Sequence, residues 1–513
     1  MQCNAVFILQ RDIITKNRPP PDTWEKTTCE NHLLIDCVGA TSYSNFALQP
    51  HLPTLRKGIK VSHNPAQTAV FGSNSRTMPA RILAILALVA FGAAEGHRVC
   101  LEYGLDYTGD DLNSGTITGV ASAEACQRHC QLRPGCRFFS WSPPTDQNCP
   151  QCRLTCWLKS GNSKPENNRY RIAGPANCAV NEKLIFQEDF NTLDERRWQH
   201  LVTGWRGGNH EFQYYRNSRK NSYVRNGKLY IKPSSTASEY GNDFLYRGSL
   251  NLWEQGCQPD MNIDGGCMIS AGVDILNPMQ SARMRTSQSF SFRYGRLEVS
   301  AKMPKGDWLW PAIWMLPTDW KYGGWPMSGE IDLVEIRGNT DFSCGNKHIG
   351  NKHMGSTLHW GPHPGQNRWD LTAWTKDDYS NPYTESFHKY ELEWSDSYIA
   401  YKVDDVFIGA IRPDAGGFWK LGNFQGNNLW AGGNRMAPFD QPFHLILNVA
   451  IGGDFFPDGC SNGANGAKPW AKGSPTQMRE FWEKRGVWER TWGGVGNDQT
   501  AMQVDYIRVY QRV

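Results

Sequence analysis

Three carboxylates lie close together in the stretch WPMSGEIDLVEIRGN, residues 325–339. Glu330, Asp332 and Glu335 stand among the apolar residues of a predicted strand, where carboxylates are costly to bury unless they face a cleft. Residues i and i+2 of a strand share a face, so Glu330 and Asp332 point together whereas Glu335 would point away. One extra residue, a β-bulge near Leu333 and Val334, directs all three to one side.

The bulged spacing suits a pair of catalytic carboxyl groups. Glu330 and Glu335 are then four effective steps apart, about 13 Å between backbones at ~3.3 Å per residue. Two glutamate side chains that lean inward reach the ~5 to 5.5 Å separation of a retaining glycosidase. Like charge and burial around Asp332 keep one carboxyl protonated as the acid while its neighbour is ionised as the nucleophile. An exposed acidic edge strand and a calcium site are the alternatives.

Tryptophans are concentrated in the same part of the chain. Three of the 21 precede residue 180 and the other 18 follow it. Five lie just upstream of the carboxylates: Trp308, Trp310, Trp314, Trp320 and Trp325. Because a cleft uses aromatic faces to hold pyranose rings, these residues favour a carbohydrate-binding cleft over an acidic edge, although one or two of them are expected in the hydrophobic core.

The elements that position these residues are predicted to be strands. Past Val180 the chain has short alternating runs separated by Gly, Pro, Asn and Asp, such as residues 228–232, 296–303, 390–394, 398–403, 406–411 and 504–510. Period-2 runs of this kind predict a large antiparallel β-sandwich. Asp404 and Asp405 join two of the runs as a tight hairpin. We expect one all-β domain over residues 180–513.

The segment before it is rich in cysteine. Eight cysteines fall within 79 residues: Cys100, Cys126, Cys130, Cys136, Cys149, Cys152, Cys156 and Cys178. This density predicts a small disulfide-stapled module over residues 97–179. Ser122 is expected to cap a short helix that carries Cys126 and Cys130 on one face. Half a zinc site at Cys149 and Cys152 is the alternative, disfavoured because a second matching pair is missing.

The first 96 residues are predicted to be absent from the mature protein. An apolar run over residues 82–94 follows Arg81 and precedes small residues, as in a secretory signal peptide, and it is too short to span a bilayer. We therefore expect a signal peptide at residues 78–96, an upstream extension or disordered segment at residues 1–77, and secretion of a protein without a membrane span. The alternative is a type II membrane anchor. Removing Cys3, Cys29 and Cys37 leaves an even 12 of 15 cysteines, as a secreted protein requires.

Composition excludes two broad classes of protein. The 54 Lys+Arg residues against 50 Asp+Glu residues give a net charge of +4, without the strongly basic balance of a nucleic-acid-binding surface. A hydrophobic content of 39% with 20% charged residues excludes disorder throughout the chain.

The larger domain resembles glycoside hydrolase family 16. The resemblance rests on GEIDLVE together with SARMRT (281–286), FSFRYGRLEVSAKMPKG (290–306), WLWPAIWMLP (308–317), LHWGP (358–362), FHKYELEW (387–394) and LILNVAIGG (445–453). These motifs are most similar to the laminarinase group, which includes invertebrate β-1,3-glucanases and β-1,3-glucan recognition proteins. The resemblance implies a concanavalin-like β-jelly-roll sandwich with the substrate in a cleft.

The resemblance also implies the roles of individual residues. Glu330 matches the nucleophile, Glu335 the acid/base, and Asp332 the residue between them that tunes protonation. Positions that line the sugar-binding subsites are matched by Asn209, Glu211, Arg283, Trp310, Trp314 and His359. No catalytic metal or cofactor is implied, and a structural calcium ion is left open.

The cysteine-rich segment resembles the PAN/apple module. The similarity rests on the helix with Cys126 and Cys130 and on the strand with Cys136, Phe139 and Trp141. It implies a bridge between Cys100 and Cys178 and disulfides that use Cys126, Cys130, Cys136 and Cys156, and it leaves Cys149 and Cys152 unassigned. Cys257 and Cys267 of the larger domain are also expected in disulfides. Such modules bind protein or carbohydrate.

Two functions from different classes follow from these resemblances. The first is a secreted endo-β-1,3-glucanase that hydrolyses with retention; the second is a non-catalytic β-1,3-glucan recognition protein of innate immunity. Recognition proteins typically lack one or both glutamates, so the intact set favours the enzyme. Licheninase-like relatives use the shorter E-x-D-x-E, and galactan-cleaving relatives are disfavoured by the flanking motifs. We also expect the two modules to fold separately.

Overall fold

A computed structural model describes residues 98–494 and 496–513. The predicted upstream extension and signal peptide lie outside the described residues. Strands are numbered β1 to β30 and helices α1 to α6 in chain order. Within the described part of the chain, no helix combines the length and the apolar character that crossing a membrane would require.

The N-terminal module is a five-stranded antiparallel sheet with one helix. The sheet has the order β2-β6-β4-β5-β3. Its strands are β2 (Glu102–Tyr107), β3 (Asp111–Ile117), β4 (Phe138–Trp141), β5 (Cys156–Lys159) and β6 (Pro165–Pro175). A separate antiparallel pair, β1 (Arg98–Val99) and β7 (Ala179–Val180), brings the two ends of the module together. Helix α1 (Ala123–Leu132) begins at the predicted cap, because Ser122 Oγ accepts a 3.1 Å hydrogen bond from the Ala125 backbone N–H.

Four disulfides hold this module together. Cys100 is bonded to Cys178, as the resemblance implies. Helix α1 is attached twice, through the pairs Cys126–Cys156 and Cys130–Cys136. The two unassigned cysteines, Cys149 and Cys152, are bonded to each other across a short 3-10 helix, so they are not half of a zinc site.

Two antiparallel sheets form the β-jelly-roll sandwich of the larger domain. The outer sheet has the order β11-β12-β30-β18-β25-β26-β27, and β8 also pairs with β30. Its strands are β8 (Glu182–Glu188), β11 (Ser222–Arg225), β12 (Lys228–Ile231), β18 (Gly295–Lys302), β25 (His388–Trp394), β26 (Ile399–Val403), β27 (Val406–Ile411) and β30 (Met502–Arg512). The predicted alternating runs are all strands of this sheet.

The second sheet, which we call the cleft sheet, has the order β24-β23-β20-β19-β28-β17-β9. Its strands are β9 (Gln199–His200), β17 (Arg283–Arg285), β19 (Leu309–Pro317), β20 (Glu330–Ile336), β23 (His353–His359), β24 (Ala373–Asp377) and β28 (Phe443–Ile451). The core lies between the two sheets, where Leu309, Ile313 and Met315 of β19 are fully buried with Leu297 and Val299 of β18. Alternate residues of β19 therefore point away from the core.

Smaller elements surround the sandwich. The remaining strands are β10 (Gln213–Tyr215), β13 (Ser234–Ser235), β14 (Ser249–Asn251), β15 (Met268–Ser270), β16 (Met279–Ser281), β21 (Phe342–Cys344), β22 (Lys347–His348) and β29 (Ser461–Asn462). Short helices are α2 (Ala237–Tyr240), α3 (Asn242–Arg247), α4 (Gly417–Leu421), α5 (Gln477–Glu483) and α6 (Arg485–Trp488). Single 3-10 turns lie at Pro150–Cys152, Trp253–Gln255, Pro259–Met261, Ile263–Gly265, Pro364–Gln366, Trp369–Leu371, Gly463–Asn465 and Glu489–Trp492. Disulfides join Cys257 to Cys267 and Cys344 to Cys460.

The N-terminal module packs on the face of the outer sheet that points away from the sandwich core. Four residues in or beside β26 and β27 complete the hydrophobic core of the module: Tyr398, Ala400, Phe407 and Ala410. Thr145 Oγ1 donates a 2.8 Å hydrogen bond to the Phe407 carbonyl, and Arg412 Nε donates one of 3.2 Å to the Tyr103 carbonyl. The module and the sandwich therefore share buried surface.

A buried ion cluster lies in the same interface. Lys402 Nζ is 3.0 Å from a carboxylate oxygen of Glu391 and 3.4 Å from one of Glu393, and all three residues are buried. The ring of Tyr103 covers the ammonium group at 4.8 Å. Buried charges require paired partners. Here a ring of the N-terminal module also covers the buried ammonium group of the outer sheet.

Candidate active site

Strand β20 carries the predicted bulge. Asp332 pairs with Thr357 of β23 and Glu335 pairs with Gly355, so three steps along β20 match two steps along its neighbour. The same extra residue appears against β19 on the other side. Leu333 and Val334 are both buried in the core, which confirms the bulge and leaves the three carboxylates on the cleft side.

The pairing also fixes the separation of the two glutamates along the sheet. Glu330 pairs with His359 of β23 and Glu335 with Gly355 of the same strand. These partners are four steps apart, about 13 Å at ~3.3 Å per residue. The backbone separation is the one that the sequence predicts for a pair of glutamates across a scissile bond.

One cavity of about 770 Å³ collects all the predicted site residues. It is lined by the three carboxylates and by Asn209, Glu211, Arg283, Trp310, Trp314 and His359. Residues paired on neighbouring strands lie in one row across the cleft sheet. In this row Arg283 pairs with Asn448, Asn448 with Ala312, and Ala312 with Glu335. With Thr357 and His359 of β23 also in the lining, the cavity is the cleft-side face of five adjacent strands.

An indole N–H group donates to each glutamate. Trp325 Nε1 donates a 2.6 Å hydrogen bond to Glu330 Oε2, and Trp310 Nε1 donates one of 3.0 Å to Glu335 Oε1. A donor held by a large buried ring fixes the rotamer of the carboxyl group it contacts. Both tryptophans thus orient the catalytic candidates as well as lining the cleft.

Asp332 lies between the glutamates and next to an imidazole. It accepts a hydrogen bond from Glu330, a contact that raises the pKa of Glu330 and lowers that of Asp332, and its Oδ2 is 3.3 Å from His359 Nε2. Within the described chain this buried Oδ2 accepts no hydrogen bond of good geometry, so the His359 contact is an electrostatic one. Such contacts often tighten when substrate binds.

Burial raises the pKa of all three carboxyl groups. Burial first, and the neighbouring Asp332 second, raise the pKa of Glu330 to about 8. Burial and the charge of Glu335 raise the pKa of Asp332 well above its usual range. Burial also raises the pKa of Glu335, although His359 and the Trp310 hydrogen bond oppose the rise. The three groups are therefore coupled, and their protons leave in steps that belong to the cluster rather than to one residue.

The same cluster also has the donor set of a cation site. Ligand atoms of Glu330, Asp332 and His359 lie within 4.8 Å of one another. The hydrogen bond between the two carboxyl groups and the indole donor on Glu330 are contacts expected of carboxyls that share a proton. These contacts suit proton transfer better than cation binding.

A polar network builds one wall of the cleft. Glu211 is buried and accepts hydrogen bonds from Gln213 Nε2 (2.6 Å) and the Tyr215 hydroxyl (3.3 Å). Burial raises the pKa of Glu211, and the Arg283 cation opposes that rise. The Arg283 guanidinium lies over the Trp314 ring at 4.6 Å. This wall presents a carboxyl, a cation and an aromatic face, which are suited to sugar hydroxyls and a pyranose ring.

Asn209 lies at the end of this wall. Its carbonyl accepts a 2.7 Å hydrogen bond from the Asp454 backbone N–H. Asp454 also contacts His210 Nδ1 at 3.0 Å. The loop that contains Asn209 is thereby attached to the loop that follows β28.

Several cleft residues were missed by the sequence analysis. They include Trp205, Tyr215, Trp369, Asn448 and Phe455. Asn448 bridges the wall, because its Oδ1 accepts from Trp314 Nε1 at 2.7 Å and its Nδ2 donates to the Tyr215 hydroxyl at 3.2 Å. Its signal was present, since it is a lone amide within the apolar run LILNVAI. Trp205, Trp369 and Phe455 carry no local pattern, because their positions depend on loop packing, and Tyr215 ends the short strand β10.

Comparisons with known proteins agree with the resemblances. The profile "Glycosyl hydrolases family 16" matches residues 259–438, and "PAN domain" matches residues 105–159. The "Beta-1,3-glucan-binding protein" of Penaeus monodon is 45% identical over 353 residues, which are 66% of this chain and 93% of that protein. "Glucan endo-1,3-beta-glucosidase A1" of Niallia circulans is 32% identical over 66% of this chain and 39% of that protein.

The solved structures include the laminarinase from Rhodothermus marinus. It is 26% identical with a TM-score of 0.42, and the match covers 65% of this chain and 99% of that chain.

Proposed function

This chain belongs to glycosyl hydrolases family 16, in the group of β-1,3-glucan-binding proteins and laminarinases, and from that membership we propose that it is a secreted retaining endo-β-1,3-glucanase. The observation that carries the proposal is the intact carboxylate set. Glu330, Asp332 and Glu335 share one face of a bulged strand, and each glutamate accepts a hydrogen bond from a tryptophan.

The chemistry follows from the raised pKa values. Glu335, whose pKa burial raises, donates its proton to the leaving glycosidic oxygen. Glu330, after passing its proton to Asp332, attacks the anomeric carbon as a carboxylate and forms a glycosyl-enzyme intermediate. Glu335, now ionised, removes a proton from water, and the water oxygen displaces Glu330. Two inversions give net retention.

The cleft surface supports a neutral polysaccharide substrate. Six tryptophans line the cavity: Trp205, Trp310, Trp314, Trp320, Trp325 and Trp369. Aromatic faces bind the apolar faces of pyranose rings, and Arg283 with Glu211 offers paired polar groups to the hydroxyls. This combination suits a β-glucan chain that runs across the strands of the cleft sheet.

A second candidate function is glucan binding without hydrolysis. The 45% sequence identity to a protein named for β-1,3-glucan binding favours this second function. The same cleft would serve both functions, since both require recognition of the same chain. The two candidate functions differ only in whether the carboxyl groups hydrolyse the bound glucan.

One assay separates the candidates. Reducing ends released from laminarin, lichenan and agarose are measured side by side for the wild type, Glu330→Gln and Glu335→Gln, with binding to insoluble β-1,3-glucan measured in parallel. We expect release from laminarin by the wild type only and binding by all three proteins. Binding without release by the wild type would assign the chain to recognition, and release of agarose oligosaccharides in preference to laminarin would contradict the substrate.

Secretion is part of the proposal and has its own test. Six disulfides among the described residues favour an oxidising compartment. N-terminal sequencing of protein recovered from culture medium should begin near Glu95 or His97. A membrane-bound product that retains residues before Met78 would contradict it.

A further inference from the structure

The side-chain amide of Asn367 has a fixed orientation. Its Oδ1 accepts a 3.1 Å hydrogen bond from the backbone N–H of Trp360, a group that can only donate. Its Nδ2 therefore faces the other way, where it lies 2.7 Å from His359 Nδ1. An amide nitrogen is a donor without a lone pair to offer, so Nδ1 must be the acceptor.

This contact determines the tautomer of His359. With Nδ1 accepting, the proton of the neutral ring is on Nε2. Nε2 is the atom that lies 3.3 Å from Asp332 Oδ2. A proton on Nδ1 would place two N–H groups face to face.

The donors converge on Asp332. From one side the groups run from the Trp360 N–H through Asn367 and His359 to an electrostatic contact with Asp332, and from the other side Glu330 donates to Asp332. We propose that Asn367 is a positioning residue that holds His359 as the neutral Nε2–H tautomer, which directs an N–H at Asp332, so that Asp332 can take up the Glu330 proton and leave Glu330 as the ionised nucleophile. The catalytic part of this inference rests on the proposed function.

Other charged and titratable groups face the carboxyl cluster from several elements. Glu335 is on β20 itself and Arg337 follows it, while Arg283 comes from β17 and Tyr401 from β26. Arg368, next to Asn367, is held by Asp370 at 3.0 Å and by the Gly422 carbonyl at 2.8 Å. These two contacts engage the guanidinium charge of Arg368.

Asn367→Asp tests the proposal with little change in shape. One carboxylate oxygen can still accept from the Trp360 N–H, but the other now requires a proton on His359 Nδ1. We expect nitrogen-15 NMR of the full-length protein, with His359 assigned through His359→Gln, to show a neutral Nε2–H ring in the wild type and a doubly protonated ring in the variant. The added positive charge lowers the carboxyl pKa values, so the kcat/KM profile on laminarin should move about one unit to lower pH, with a loss of about tenfold at the wild-type optimum.

Thr372→Val is the matched control. Thr372 Oγ1 accepts from Trp360 Nε1 at 2.8 Å and donates to the Leu358 carbonyl at 3.0 Å, so it supports the same turn without contacting His359. The control should lower the melting temperature and leave the tautomer and the pH profile unchanged.

The tautomer measurement decides the proposal even if the protein does not hydrolyse glucan. An Nδ1–H ring in the wild type, or an Asn367→Asp variant with the wild-type ring, would overturn it. A changed tautomer with an unchanged pH profile in an active enzyme would remove its catalytic part.

Discussion

At the scale of single residues, the two glutamates differ in what accompanies them. Glu335 has the Trp310 donor and Glu330 has both the Trp325 donor and the Asp332 carboxyl. Once Asp332 has taken up the Glu330 proton, its O–H can stabilise the ionised Glu330 through the same hydrogen bond. Glu335, one bulge away, has no such partner in its described hydrogen bonds, so it suits the protonated role.

Glu335→Gln should separate the two steps of the reaction. Proton donation to the leaving oxygen is lost, so hydrolysis of laminarin should fall by about 10² to 10⁴. An activated aryl glucoside, which needs little protonation, should still form the glycosyl-enzyme. Azide needs no general base, so it should accelerate turnover and yield a β-glycosyl azide, detected by NMR of the product.

Glu330→Gln should behave differently. Without the nucleophile the covalent step is lost, and azide attacking an activated donor from the opposite face would give a single inversion. Opposite product configurations in the two variants would require the roles of Glu330 and Glu335 to be exchanged. If neither variant loses hydrolysis, this strand is not the active site.

The raised pKa of Glu330 also predicts a pH-dependent stability. A carboxyl with a folded pKa of about 8 binds its proton more tightly in the folded state than in the unfolded state. The stability that this proton contributes to the fold is full below the unfolded pKa near 4 and is lost as pH rises toward 8. Glutamine cannot ionise. The melting temperature of Glu330→Gln should exceed that of the wild type more at pH 8 than at pH 4.5.

An exposed glutamate provides the control for that measurement. Glu483, at the end of α5, lies at the surface. Glu483→Gln should show the same melting difference from the wild type at both pH values. An equal difference for Glu330→Gln would mean that its pKa is not raised.

At the scale of elements, the bulge gives β20 one more residue than the stretches of β19 and β23 that pair with it. Deleting Leu333 should remove it and keep both ladders paired. The protein should fold, but a shift of about 1 Å in a catalytic group costs about 10² in rate, so kcat/KM on laminarin should fall by that order. Circular dichroism and the assay check both statements.

Leu333→Ala is the matched variant, because it keeps the bulge and removes buried volume. It should cost about 2 to 5 kcal/mol of stability and leave kcat/KM near the wild-type value. Wild-type activity in the deletion variant would show that the bulge does not set the geometry of the carboxylates.

Elements whose cause is local were predictable from the sequence. The hairpin at Asp404 and Asp405 follows from two alternating runs, and both residues take positive φ. The bulge followed from the requirement that three carboxylates share a face. The Cys149–Cys152 pair could not be assigned, because eight cysteines allow 105 connectivities. Asn367 gave no signal, since its role depends on a turn that brings it back to His359.

At the scale of the whole molecule, the shared core of the two modules was not predictable. Tyr398 and Ala400 alternate with Ile399 and Tyr401, and a strand buried on both faces has the same composition whatever covers its second face. Separate folding stays a prediction. The structure adds that removing the module exposes apolar residues of β26 and β27 and uncovers Lys402.

A fragment from about residue 180 should therefore hydrolyse soluble glucan but melt at a lower temperature than the full chain. Phe407→Ala should cost the full chain about 3 to 5 kcal/mol, as for a buried phenylalanine, and cost the fragment much less, because Phe407 packs on the module. Equal losses in the two backgrounds, measured by chemical unfolding, would show that the modules do not stabilise each other.

The module and the cleft lie on opposite sides of the sandwich, since the module covers the outer sheet and the cavity lies on the cleft sheet. The shared core holds them in one orientation. A molecule seated on a glucan particle through its cleft would therefore turn its disulfide-rich module outward, toward the surrounding fluid. Occupying the cleft would display the module rather than hide it, so that a coated particle would present a layer of identically oriented modules to whatever approaches it.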